Sequence, residues 1–170
     1  EAPDLDRVWA ALSPVIADAV AQLDAMRSRE GEATRRDIEG LLDGIAAEVR
    51  RVSAHADRLE AKIADDLRRR LRDLLGQGVD ENRLLTETAL AASRADIHEE
   101  LVRIGSHLDH FRDTLAAGGA MGKKLDFLCQ ELNREFNTIG SKNLLVEVDS
   151  AVVALKDALE KIREQLRNVE

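Results

Sequence analysis

A chain of 170 residues is long enough for one domain with a sizeable core, and its 44% apolar and 34% charged residues exclude a low-complexity polymer. Aromatic residues make up only 2%, so the sequence suits long helices packed side by side better than a ring-rich globule. The net charge of −8 excludes a generic polyanion binder: its long-range field repels nucleic acid, and any RNA contact has to rely on local basic clusters.

The only prolines are Pro3 and Pro14. Residues 4–12 read as a short helix, and Ser13 before Pro14 reads as an N-cap with proline at the first helical position. A long helix then runs to about residue 75, with a bend or break expected near Gly31, since Gly31, Gly40 and Gly44 each weaken it by up to about 1 kcal/mol relative to alanine. Gly76-Gln77-Gly78 is a stop signal. The next helix is expected over 80–117, where Ile97, Leu101, Ile104, Leu108, Phe111 and Leu115 step by four and three along a coiled-coil-like seam, ended by Gly118-Gly119. A further helix over 122–137 carries Met121, Leu125, Leu128, Leu132 and Phe136 on one face, followed by a loop over 138–143. The last helix has a seam of Val148, Val152, Leu155, Leu159, Ile162, Leu166 and Val169. Nothing alternates as a strand does. The fold class is therefore all-α, an elongated bundle of long antiparallel helices in about five segments, with 1–80 as a connecting region and 81–170 as a C-terminal helical domain.

The single cysteine, Cys129, forms no intrachain disulfide and suits a reducing, cytoplasmic setting; it falls on an apolar helix face, as a small core residue does. No apolar run approaches the roughly 18 residues of a membrane span, no signal peptide is visible, and a start at Glu1 without methionine reads as a fragment. Basic clusters occur at Arg50 and Arg51, at Arg68, Arg69, Arg70 and Arg72, and at Lys123 and Lys124. Taken alone, each reads first as a solvated helix face balanced by nearby acids such as Asp65 and Asp66.

One polar stripe carries possible chemistry. Asp96, Glu100, Arg103 and His107 fall within about 60° of arc on a helix, with Glu99 beside them. Carboxylates with an imidazole suit a divalent cation, or an acid–base pair for phosphodiester cleavage, and an arginine among them suits phosphate. The same stripe reads as intrahelical pairs of Glu99 and Glu100 with Arg103, contributing only about 0.3–0.5 kcal/mol each. On the following helix, Glu131 and Glu135 are four apart and can share a metal or be bridged by Arg134 and Lys124. Asp126, Gln130, Asn133 and Asn137 share one flank of that helix; Phe127, Glu131 and Arg134 lie on the other. Lys142, in the expected loop beside Ser141 and Gly140, is suited to following a phosphate backbone. His55, His98 and His110 stand apart from the stripe. There is no phosphate-binding glycine loop, no zinc spacing and no aromatic platform for stacking bases, so any RNA is expected to be held by backbone and shape.

The run 122–142 resembles the C-terminal signature of the YicC-like endoribonucleases, through Leu125, Asp126, Phe127, Gln130, Glu131, Asn133, Arg134, Glu135, Asn137, Thr138, Ser141 and Lys142. The segment ADIHEELVRIGSH (95–107), the closing LEKIREQLRNVE (159–170), and Glu87 and Arg94 also resemble that family, whereas the first 80 residues match it loosely, around Arg29–Gly31. The resemblance implies a bacterial, metal-dependent enzyme that cuts RNA internally, assembles as a ring-like hexamer and carries an N-terminal β-containing domain that this chain lacks. It implies that Asp96, Glu99 and Glu100, with Glu131 and Glu135, hold Mg²⁺ or Mn²⁺. Glu100, His107 and Asp96 are then the catalytic candidates, and Arg103, Arg134, Lys142, Lys123 and Lys124 the RNA contacts. One departure is that Leu144, Leu145 and Val146 follow Asn143 where the family carries polar or acidic residues. The alternative is a helical oligomerisation or RNA-binding module without chemistry of its own.

Overall fold

A computed structural model describes residues 4–75, 81–142 and 146–167, and their side chains except at 56–64, 67, 68, 71, 72, 74, 75, 81, 84, 146 and 147. Among the described residues there are five α-helices and no strand: α1 (Leu5–Leu75), α2 (Glu81–Ala95), α3 (His98–Ala117), α4 (Gly122–Lys142) and α5 (Val146–Leu166). The all-α class expected from composition is what the chain adopts. Two compact units divide between Ile38 and Glu39.

The first unit is the N-terminal stretch of α1. Asp4 opens the helix: its Oδ1 accepts from the Arg7 N–H at 3.3 Å and its carbonyl from the Val8 N–H at 3.0 Å. Pro14 lies inside the helix rather than starting a new one. Its missing N–H leaves the Ala10 carbonyl without its helical donor, yet the chain stays helical on both sides. Nor does Gly31 break α1. Leu5, Trp9, Leu12, Ile16, Leu23 and Met26 keep one four–three register across Pro14, and all are exposed, Trp9 at 64%. Contrary to the expectation above, a stretch within Leu5–His55 is long and apolar enough to cross a membrane by length and composition alone. Its large apolar side chains recur mainly along one stripe, with Asp6, Asp18 and Asp24 off that stripe.

The second unit holds the rest of the chain. Leu42, Ile45 and Val52 of α1 are buried, as are Ile104, Leu108, Phe111 and Leu115 of α3, Leu125, Leu128, Cys129, Leu132, Phe136 and Ile139 of α4, and Val148, Val152, Leu155, Leu159, Ile162 and Leu166 of α5. The α5 seam is buried as its spacing predicts, up to Val169, which lies outside the described residues. Helix α4 packs against both α3 and α5. Gly118 and Gly119 make the α3–α4 turn at φ +65° and +82°, where a side chain would be strained. A Cβ at Gly140 would sit 3.4 Å from Val152 Cγ1, an ordinary packing distance between α4 and α5. Arg112 reaches Asp43 of α1 at 2.9 Å.

Two differences from the sequence-based expectations shape the site. The helix expected over 80–117 is two helices, α2 and α3, parted at Asp96 and Ile97, where the Asp96 Oδ1 accepts from the His98 N–H at 2.8 Å. A side chain that captures a backbone donor two residues on competes with continuing helix. The loop expected over 138–143 is helical as far as Lys142, Thr138 and Ser141 donating back to the carbonyls of Arg134 and Thr138. The stop at Gly76-Gln77-Gly78 lies outside the described residues, as do Leu144 and Leu145 of the departure, whereas its Val146 opens α5.

Candidate active site

Helices α3 and α4 run antiparallel and are cross-linked by charge. Glu100 is 4% exposed and Glu135 2%, although both are carboxylates in helices with apolar neighbours. Lys142 Nζ lies 2.8 Å from Glu100 Oε1 and donates to the Asp96 carbonyl at 2.9 Å. Arg103, one turn after Glu100, approaches Glu135 Oε1 at 3.5 Å and also pairs with Glu99. The Glu99 carboxylate, with Glu135 as a second negative charge, holds the Arg103 guanidinium above its ordinary range. Glu100 and Glu135 thus each meet a cation from the other helix.

The second oxygen of each carboxylate breaks this balance. Glu100 Oε2 and Glu135 Oε2 are buried and make no hydrogen bond among the described residues. A buried polar atom left in that state costs about 1–3 kcal/mol, so two on one interface call for a functional account. Among the described residues no three His, Cys, Asp or Glu side chains come together as a ready metal cage.

The other candidate residues fall around this pair. Asp96 lies between α2 and α3, its carboxylate engaged with His98 and its carbonyl with Lys142. Glu99 is committed to Arg103. His107, one turn beyond Arg103, and Glu131, one turn before Glu135, are both half-buried. Lys123, Lys124 and Arg134 are exposed on α4, as are Gln130, Asn133 and Asn137. Lys142 is not on a loop; it closes the last turn of α4 with its side chain 31% exposed. Arg69 is tied to Asp65 and Asp66, and Arg51 to Glu48, as solvated faces are. Arg50, Arg70, Glu87 and Arg94 are exposed and His55 is half-buried, while the side chains of Arg68 and Arg72 lie outside the described residues. Cys129 is buried, and burial, together with the Asp126 charge, pushes its thiol up to about 12, so it is a core residue and not a nucleophile.

Phe127 is 57% exposed on α4, although it is one of only three phenylalanines in the chain. The signal was present: in helical projection it lies on the side opposite Leu125, Leu132 and Phe136. Likewise Asp96 with Glu99 three residues on has the form of a helix start, which the unbroken apolar register concealed.

The fold and the site together define an all-α protein with an ion-paired carboxylate interface between two adjacent helices. Residues 45–170 match the family described as "Endoribonuclease YicC-like, C-terminal". The chain is 37% identical over 169 residues to the "Probable endoribonuclease YicC" of Clostridioides difficile (strain 630), covering 98% of this chain and 58% of that relative. It is 37% identical over 167 residues to the protein of the same name in Haemophilus influenzae (strain ATCC 51907 / DSM 11121 / KW20 / Rd), with the same coverage of 98% and 58%. The chain belongs to the YicC-like endoribonuclease family, and it spans under two thirds of the length of these relatives.

Proposed function

We propose that this chain is the C-terminal helical part of a cytoplasmic endoribonuclease that cuts RNA internally with the help of Mg²⁺ or Mn²⁺. The observation that carries this reading is the pair of buried carboxylate oxygens, Glu100 Oε2 and Glu135 Oε2, left without partners beside two cationic side chains. Hard carboxylate oxygens suit these ions, and Mg²⁺ is commonly held by one or two carboxylates, with waters and substrate phosphate completing its shell. Glu100 and Glu135 would hold the ion, which when bound would polarise a phosphoryl oxygen. Asp96 and Glu99 serve the same site by holding Lys142 and Arg103 in place, and Glu131 adds negative charge one turn along α4. Arg103 and Lys142, with Arg134, Lys123 and Lys124, bind the phosphate backbone. His107 takes the proton from water as its oxygen bonds to phosphorus, and returns one to the ribose oxygen whose bond to phosphorus breaks.

The test is cleavage of a labelled RNA hairpin by the purified chain in Mn²⁺, with and without EDTA. Glu100→Gln and His107→Ala are expected to abolish cleavage while helicity at 222 nm is kept, and Glu100→Gln/Glu135→Gln to weaken Mn²⁺ binding read by EPR. Cleavage unaffected by EDTA, or undiminished in both single variants, overturns the assignment.

A second reading is a helical oligomerisation or RNA-binding module without chemistry of its own. The exposed apolar stripe from Leu5 to Met26 favours it, and supports homo-oligomers under either reading. RNA bound but never cut in the same assay returns this second reading.

A further inference from the structure

Helix α4 has two opposed faces. Seven residues, Leu125, Leu128, Cys129, Leu132, Glu135, Phe136 and Ile139, are buried. On the opposite side Lys123, Phe127, Gln130, Arg134 and Asn137, spaced four, three, four and three, are all exposed. At about 100° per residue they occupy roughly 80° of arc, a single narrow stripe. It contains no acid itself, and Glu131 borders it one turn from Phe127 and Arg134. The nearby Asp126 carboxylate is already engaged by Gln130 Nε2 at 2.8 Å and by Arg163 at 3.6 Å. Neither Lys123 nor Arg134, nor the adjacent Lys124, forms an ion pair among the described residues. In a chain of net charge −8 this is a local cationic strip with an aromatic ring in its middle.

We propose that this outer stripe of α4 holds single-stranded RNA, with an unpaired base stacked on the Phe127 ring. The proposal rests on RNA being the substrate and deepens that reading by naming the form of RNA. Lys123 stands about 6 Å along the axis on one side of Phe127, and Arg134 about 10 Å on the other. Cations on both sides of a ring suit phosphates on both sides of a stacked base. Gln130 spends its NH₂ on Asp126, which leaves its carbonyl to accept from a base edge; Asn137 offers both a donor and an acceptor. A phenyl ring cannot stack on bases already stacked within a duplex, so the stripe selects loops, bulges and ends. The exposed Phe127 supplies the aromatic platform that the sequence reading did not find. A partner helix would want an apolar stripe at this place, whereas four of these five side chains are cationic or amide.

The experiment is fluorescence anisotropy of the full chain with a labelled single-stranded RNA of about a dozen nucleotides and with the matching duplex. Phe127→Ala and Phe127→Leu are expected to weaken single-strand binding on the order of tenfold or more, Phe127→Trp to retain it, and duplex binding to change little. Arg134→Gln is expected to weaken binding and flatten its salt dependence by about 0.7 in the log–log slope. Wild-type protein that binds no RNA at low salt overturns both this proposal and the RNA reading beneath it. RNA binding that is equal in wild type, Phe127→Ala and Phe127→Leu overturns the stacking site alone. So does a Phe127→Ala variant whose oligomeric state changes in sedimentation while its RNA affinity does not, because the stripe then faces a protein.

Discussion

Replacing Lys142 by methionine keeps most of the aliphatic stem and removes the charge. The Glu100 carboxylate, 4% exposed, then loses its partner at 2.8 Å, and the Asp96 carbonyl loses a donor at 2.9 Å. Removing one member of a fully buried ion pair costs roughly 3–5 kcal/mol. Lys142 is 31% exposed, so water reaches the vacated end of the interface and the expected cost falls to roughly 2–3 kcal/mol. For a chain of this length that lowers the melting temperature by about 5–10 °C. The assay is thermal and urea unfolding followed at 222 nm for wild type, Lys142→Met, Glu100→Gln and the double variant. The double variant should recover about 1–2 kcal/mol relative to the sum of the singles, because the isolated charge is then gone. Raising the salt to 0.5 M should leave the Lys142→Met deficit nearly unchanged, as screening acts weakly on a buried group. A deficit under about 0.5 kcal/mol, or strict additivity, would refute the view that this pair is a buried cross-link.

The Cys129 thiol, raised from 9.0 to about 12, favours the folded state fully below pH 9, and this contribution is lost between pH 9 and 12 as the unfolded thiol ionises. The stability gap between wild type and Cys129→Ala should therefore narrow by about 1.4 kcal/mol per pH unit above 9 in alkaline urea titrations, a gap constant to pH 11 being the contrary result. Gly118→Ala forces a side chain to φ +65° and ψ −168°, and should cost about 1–3 kcal/mol by the same unfolding assay; a neutral result would mean that the α3–α4 turn relaxes freely. Gly105→Ala, at a helical site where a new Cβ meets nothing within 4 Å, should instead stabilise by up to about 1 kcal/mol, and a lower melting temperature would contradict the open space seen there.

The periodic parts of the fold were legible from sequence because burial enforces periodicity. Val148, Val152, Leu155, Leu159, Ile162 and Leu166 are all buried, and Leu125, Leu132 and Phe136 line the inner face of α4 as their spacing predicts. Local polar chemistry was harder to see. The register of Ile97, Ile104 and Leu108 runs on without regard to the gap before His98, and it outweighs the helix-start pattern of Asp96 and Glu99 that the Asp96 hydrogen bond makes plain. Ser13-Pro14 looks like a helix start because proline is favoured there, but the apolar stripe around it continues in phase. At the candidate site, Glu100 and Arg103 could be placed on one helix face, but their partners could not. Glu100 meets Lys142 and Arg103 meets Glu135 across 42 and 32 positions of chain, and no spacing rule reaches that far.

Lys142 grips both a side chain of α3 and the main chain at the junction with α2. One ammonium therefore ties the end of α4 both to α3 and to the peptide that precedes it. Phosphate competing for that ammonium would loosen the same clasp, so an anion bound there would be felt at the start of α3.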